Sequence, residues 1–230
     1  MTSLSALAET IRIKRWEDAD ISVGVALAHA KDSASVRTLA TLGEVGSWKS
    51  LLVLSVGTMA WGLAVGDRRM SSTGKRMLGA GILASLVKTT AKRLVHRTRP
   101  NVLMDTGLYA RGWLGPNDGP WQSFPSGHSA LSVAVARAAV RTYPEIRGIA
   151  YGAAAGVILT QILRGAHFPS DVLAGAVVGL AAEYGAQALA DLGETGSCGE
   201  SSACDPSPGF DEQPRSSTTN IRRVSCSIGS

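Results

Sequence analysis

Long uncharged stretches recur along this chain and constrain its fold more than any other feature. Residues 50–66 carry no charged side chain, and as a helix they would be roughly 25 Å long, a short bilayer span. Further apolar helices rich in Ala and Gly, which allow close backbone approach in a membrane, are predicted at about 77–87, 127–142, 148–163 and 171–190. We therefore expect an all-α bundle of about five membrane-spanning helices, with a soluble all-α domain as the alternative.

The two ends of the chain differ from this central region. Residues 18–46 mix apolar and charged side chains, which favours amphipathic helices at a membrane interface or, equally, on the surface of a core. From Leu192 onward Gly, Ser, Pro, Thr and charged residues dominate, as in disordered tails. The predicted organisation is an amphipathic N-terminal segment at 1–47, a membrane-embedded domain at 48–191 and a disordered tail at 192–230.

The charge balance favours anionic partners. The chain has 23 Lys and Arg against 18 Asp and Glu, a net charge of +5, which suits phosphorylated substrates, anionic lipid surfaces or nucleic acid. There is no zinc-finger spacing and no basic recognition helix, so nucleic acid is not a predicted partner.

A basic cluster runs from Lys92 to Arg99 and ends at Pro100. The spacing is close to two helical turns, so Lys92 and Arg99 are expected on one helix face, with the helix stopping at Pro100. Two cations held on one face would grip a phosphate, the arginine through its bidentate fork. A basic patch flanking the membrane is the alternative.

A second cluster, Phe124-Pro125-Ser126-Gly127-His128-Ser129, opens an apolar helix. Backbone N–H groups at a helix N-terminus favour an anion, and the Ser126 hydroxyl adds a donor. His128 could protonate a leaving oxygen near neutral pH. A simple capping turn with an incidental histidine explains the same residues.

A third cluster runs from Arg164 through His167 and Ser170 to Asp171. A carboxylate four positions after a histidine permits a bond to one ring nitrogen, leaving the other as a nucleophile. The alternative is that Ser170 or Asp171 only caps the following helix, although capping does not account for His167.

Together the three clusters resemble the type 2 phosphatidic acid phosphatase superfamily, whose signature is K-x6-R-P, then P-S-G-H, then S-R-x5-H-x3-D. The resemblance covers roughly residues 48–190 and matches two motifs fully and the third in part. It implies an all-helical fold and hydrolysis of phosphate esters or diphosphates without metal or other cofactor. The family includes membrane lipid phosphatases, soluble acid phosphatases and vanadate-dependent haloperoxidases.

The resemblance also implies a role for each matched residue. His167 would attack phosphorus to form a phosphohistidine, oriented by Asp171, and His128 would protonate the leaving group and then activate water. The phosphoryl oxygens would be held by the cations Lys92 and Arg99, by Ser126 and by the Gly127 N–H.

The third motif departs from the family pattern. The family arginine falls at Gln161, and the preceding serine is Thr160. Arg164 lies almost one helical turn further on, so we predict that it partly replaces the missing cation and contributes to phosphate binding. The alternative is a weakened site that binds a lipid phosphate without efficient turnover.

The distribution of basic loops predicts the membrane orientation. Connections near 68–76 and 141–147 are basic and carry no motif, so the positive-inside rule places them in the cytoplasm. In a bacterium this gives an integral protein of the inner (plasma) membrane whose site faces the periplasm or exterior. The expected partners are the bilayer and a lipid phosphate substrate: a polyprenyl diphosphate, phosphatidic acid, phosphatidylglycerol phosphate or a phosphorylated glycolipid. A soluble nonspecific acid phosphatase is the alternative function.

Overall fold

The structure, a computed structural model, describes residues 2–115 and 118–200, with side chains from 14 to 192 apart from residue 42. This part of the chain is mostly helical, which confirms the all-α expectation. The helices are α1 (Thr2–Ala28), α2 (Ala34–Gly43), α3 (Trp48–Ala64), α4 (Arg68–Leu94), α5 (Pro100–Thr106), α6 (Gly127–Thr142), α7 (Arg147–Leu163) and α8 (Pro169–Glu200). Short 3-10 turns lie at Glu44–Gly46, Gly119–Trp121 and Pro144–Ile146, and strands β1 (Val95–Arg97) and β2 (Arg111–Trp113) pair antiparallel.

The centre of the bundle is formed by α4, α6 and α8, which pack on one another. Helix α3 lies against α4, helix α7 against α6, and α2 against α7. Small side chains dominate the core, whose members are Leu51, Met77, Ala80, Ala84, Leu131, Ala134, Val135, Ala138 and Ala182. Burying small residues brings backbones close together, as expected for helices that pack in a membrane.

Glycine makes the tightest of these contacts possible. A Cβ atom on Gly175 of α8 would lie 2.4 Å from the carbonyl oxygen of Ser126, at the start of α6. Only a glycine therefore lets α8 approach the turn that carries Ser126, Gly127 and His128. By contrast, a Cβ on Gly156 of α7 would meet nothing within 4 Å.

Large apolar side chains lie on the outer surface of the bundle. Val53 on α3, Ile149 on α7 and Leu173 on α8 are 71%, 81% and 67% exposed, a pattern that suits lipid contact better than water. Among the described residues, two helical stretches are long and apolar enough to cross a membrane, Pro144–Leu163 and Pro169–Leu192. The expected number of about five spans is thus not confirmed.

The basic cluster of the first motif is not one continuous helix, so the prediction that Lys92 and Arg99 share a helix face is wrong. Helix α4 ends at Leu94, and the chain continues as β1, in which Val95 pairs with Trp113. Arg99 is extended because it precedes a proline. Pro100 begins α5 instead of ending a helix, because the first position of a helix accommodates proline well.

Helix α8 runs past the predicted domain boundary at 191 and continues to Glu200. The remaining part of the predicted disordered tail, 201–230, lies outside the described residues.

The Gly175 contact predicts a stability difference between two glycine substitutions. Gly175→Ala should lower the free energy of unfolding by about 1–3 kcal/mol, because the added methyl overpacks the α6–α8 contact. Gly156→Ala should be neutral or slightly stabilising, since alanine is the better helix former. Thermal unfolding of both variants in detergent measures the difference, and equal midpoints would contradict this account of the packing.

Candidate active site

The three sequence motifs meet at one end of the bundle. Lys92 comes from the last turn of α4, Arg99 from the segment after β1, His128 from the first turn of α6, and His167 from the loop between α7 and α8. Lys92, Arg99 and His128 all act electrostatically on His167. The opposite end carries the motif-free basic connections, where Arg69 donates to a backbone carbonyl at the end of α6.

His167 is held in one orientation by the backbone. Its ring is buried, and Nδ1 lies 2.6 Å from the carbonyl oxygen of Ser123. Since a carbonyl can only accept, Nδ1 must carry the proton, which leaves the lone pair on Nε2. Burial, together with the nearby Lys92 and Arg99, lowers the pKa of His167 well below its usual value. The imidazole is therefore neutral and can act as a nucleophile.

Asp171 does not bond to the His167 ring in this structure, which corrects the predicted direct contact. Its fully buried carboxylate accepts from Arg97 at 2.8 Å, from the Ser123 hydroxyl at 2.5 Å and from the Phe168 N–H at 2.9 Å. The last bond caps α8 from its first turn, as the capping alternative anticipated. Asp171 thus fixes Ser123, whose carbonyl bonds to the His167 ring, and Phe168, the residue that follows His167.

The two cations of the first motif have different partners. Lys92 Nζ donates to the carbonyl of Gln122 at 2.8 Å, next to the Ser123 carbonyl that holds His167. Arg99 Nε is buried and has no hydrogen-bond partner among the described residues. Burial and the charge of Arg164 lower the pKa of Arg99. Arg99 therefore keeps a donor available for an anion, and a buried donor without a partner is costly unless a ligand satisfies it.

Ser126 caps α6, as the alternative interpretation of that turn predicted. Its hydroxyl oxygen accepts from the N–H of Ser129 at 3.4 Å and from the Ser129 hydroxyl at 2.9 Å. Gly127 begins the helix, and a Cβ atom there would lie 3.1 Å from Cδ and 3.6 Å from Nζ of Lys88. A helix N-terminus and a lysine thus lie together beside His128, an arrangement that favours an anion.

A carboxylate that the sequence analysis did not identify lies beside His128. Glu44, in the turn after α2, pairs with Arg164 at 2.7 Å and lies 3.7 Å from His128 Nε2. Its bond with Arg164 lowers the pKa of Glu44, so this residue is charged at neutral pH. Gly43 allows the close approach, because a Cβ there would lie 2.2 Å from Thr160 Oγ1 on α7. Arg164 is thus near the other cations but is paired.

Gln161, at the position of the family arginine, is fully buried. Its Nε2 lies 3.4 Å from Thr160 Oγ1, while Oε1 has no hydrogen-bond partner among the described residues. The buried amide of Gln161 therefore supplies no charge at the position of the family arginine.

The sequence analysis missed five residues of the site region: Lys88, Glu44, Arg97, Ser123 and Asp20, which accepts from Arg97 at 2.7 Å. Arg97 and Ser123 lie within or beside the matched motifs, at positions the signature leaves open. Asp20 and Glu44 lie in the N-terminal amphipathic segment, where charged residues fit a solvated helix face equally well.

Comparison with known proteins identifies the class. Residues 74–189 match the model of the PAP2 superfamily, a span of half of the chain, and this chain therefore belongs to the PAP2 superfamily. Among curated proteins it is similar to lipid A 1-phosphatases from Rhizobium johnstonii and Rhizobium etli, with 35% identity to each over 102 residues. The aligned part is 44% of this chain and covers 39% and 41% of those two proteins.

Two solved structures share the fold. The crystal structure of Aquifex aeolicus LpxE superimposes with a TM-score of 0.54 and 22% identity, covering 72% of this chain and 93% of that one. The PAP2-type phosphatidylglycerolphosphate phosphatase of Bacillus subtilis superimposes with a TM-score of 0.56 and 22% identity, covering 81% and 91%.

Proposed function

We propose that this protein is a membrane phosphatase that hydrolyses a lipid-linked phosphate or diphosphate through a phosphohistidine at His167. The observation that carries the proposal is the neutral imidazole of His167, held by the Ser123 carbonyl with Nε2 unprotonated among cationic groups. A neutral nucleophile beside cations attracts a phosphate without losing its lone pair. The proposed hydrolysis uses these side chains and no metal ion.

In the first step, Nε2 of His167 forms a bond to phosphorus as the bond to the leaving oxygen breaks. His128, as the imidazolium that the nearby Glu44 carboxylate favours, donates a proton to that oxygen, so the product leaves as an alcohol or, from a diphosphate, as a lipid monophosphate. Lys92 and Arg99 stabilise the charge that gathers on the phosphoryl oxygens, together with Ser126 and the N–H of Gly127.

In the second step, water attacks the phosphohistidine. His128, now neutral, takes a proton from that water, the P–N bond breaks, and inorganic phosphate leaves. His167 regains its lone pair, and its Nδ1–H stays hydrogen-bonded to the Ser123 carbonyl throughout.

Arg164 contributes the cation that Gln161 does not. Its guanidinium acts electrostatically on Arg99 and pairs with Glu44, so it is close enough to reach a bound phosphate once that phosphate displaces the carboxylate. Before substrate binds, Glu44 neutralises part of the charge of Arg164, and it weakens substrate binding because it competes with the phosphate.

The proposed substrate is a lipid phosphate at the membrane surface, and phosphorylated glycolipids such as lipid A 1-phosphate are the first class to test. The similarity to two lipid A 1-phosphatases supports this choice, and the shared fold of the Bacillus subtilis phosphatidylglycerolphosphate phosphatase supports phosphatidylglycerol phosphate as a second class. The outward apolar side chains support a bilayer setting over the soluble acid phosphatase alternative. We place the site on the periplasmic or exterior side, opposite the basic connections.

The proposed function predicts phosphate release from lipid phosphates in the presence of chelator. Detergent-purified protein is incubated with lipid A 1-phosphate, phosphatidylglycerol phosphate, phosphatidic acid, a polyprenyl diphosphate and the water-soluble p-nitrophenyl phosphate. Release should persist in EDTA and disappear in His167→Ala. Preference for p-nitrophenyl phosphate would favour the soluble alternative, and no release from any lipid would contradict the proposal.

The Arg164–Glu44 pair predicts opposite effects of two substitutions. Arg164→Ala should lower kcat/KM by about 100-fold, the loss typical of one donor to the transition state. Glu44→Gln should lower KM by up to about fivefold, since a partly exposed ion pair stabilises by at most about 1 kcal/mol.

Glu145→Gln, in an exposed turn at the opposite end of α6, is the matched control and should leave kinetics unchanged. An Arg164→Ala variant with wild-type kinetics would show that Arg164 does not replace the missing cation.

A further inference from the structure

Asp171 depends on a residue to which the phosphatase motifs give no role. Its carboxylate is fully buried, and an isolated buried charge is costly unless it is paired and hydrogen-bonded. The only full opposite charge that bonds to it among the described residues is Arg97, whose side chain is 5% exposed. The Arg97 guanidinium also lies over the ring of Phe168 at 4.2 Å, directly after His167.

Arg97 is in turn held by the N-terminal helix. Its second terminal nitrogen donates to Asp20 on α1 at 2.7 Å. Burial alone would lower the pKa of Arg97, but Asp171 and Asp20 outweigh it and raise that pKa, so the guanidinium stays charged between two carboxylates. The two terminal nitrogens of the rigid guanidinium bond to two different carboxylates, so its planar fork fixes Asp171 and Asp20 relative to each other.

Asp20 also contacts residues 167–171, which comprise the end of the α7–α8 connection and the start of α8 and are called the 167–171 loop below. It accepts from the backbone N–H of Ser170 at 2.9 Å and from the Ser170 hydroxyl at 2.5 Å. One turn further along α1, Gly24 comes so close to Phe168 that a Cβ would lie 2.5 Å from the ring. Asp20 and Gly24 share one face of α1, and that face contacts the 167–171 loop.

We infer that Asp20 and Arg97 are positioning residues, through which α1 holds the His167–Asp171 loop in its reactive geometry. The N-terminal segment is then part of the catalytic apparatus and not a separate membrane anchor, although it lies outside the region that matches the family. The inference rests on the proposed function for its kinetic consequence. Small displacements of a reacting group cost large factors in rate.

The test compares two ion pairs that tie the same N-terminal region to the rest of the molecule. Asp20→Asn removes the negative charge on α1 that pairs with Arg97, the residue that also pairs with Asp171. Asp105→Asn removes the nearer of two carboxylates that pair with Lys31, which follows α1, at a contact 2.7 Å long that does not involve the site. Asp20→Glu is the conservative variant.

Asp20→Asn should lower kcat by about 10- to 100-fold with little change in KM, whereas Asp105→Asn should stay near wild type and Asp20→Glu should recover part of the loss. Hydrogen exchange measured by mass spectrometry should accelerate in peptides covering 164–171 for Asp20→Asn only. If Asp20→Asn matches Asp105→Asn in both measurements, the inference is overturned. If the wild type hydrolyses no lipid phosphate, the proposed function fails, while the exchange comparison still decides whether α1 orders the loop.

Discussion

The buried carboxylate of Asp171 organises this end of the molecule. Its bonds to Ser123, Phe168 and Arg97 join three parts of the chain that are far apart in sequence. The Ser123 carbonyl in turn fixes the tautomer of His167. Removing any of these donors would leave a buried charge short of partners, so the loop, the strand and the turn are expected to hold or to loosen together.

Around that anchor, the site concentrates positive charge without protonating His167, the nucleophile that we propose. Burial and the neighbouring cations lower the pKa of His167, so the features that attract a phosphate also keep the imidazole neutral. Glu44, which pairs with Arg164 and lies beside His128, balances part of this charge. Repulsion among the cations is therefore smaller, but Glu44 competes with the phosphate that we propose as the substrate group.

Sequence patterns predicted the helices well and the long-range contacts poorly. The Ala- and Gly-rich segments indicated the helical bundle because periodicity and small-residue packing are local properties. The segment from Lys92 to Arg99 was expected to be helical, but β1 pairs with a strand beyond α5. Glu44 and Arg164 are 120 residues apart, and Asp20 and Arg97 are 77 apart. Such contacts form only when the helices pack together, and the local pattern around either residue does not indicate which helices will pack.

The central claim, covalent catalysis by His167, is tested most directly by trapping the intermediate. Protein incubated with a lipid substrate labelled in its phosphate is quenched in alkali within one turnover and digested for mass spectrometry. We expect an acid-labile, alkali-stable phosphoryl group on the peptide containing His167. The labelled fraction should rise in His128→Ala if this substitution slows the attack of water more than it slows the first step. Turnover with the label on another residue, or with no covalent label under conditions that resolve a single turnover, would contradict it.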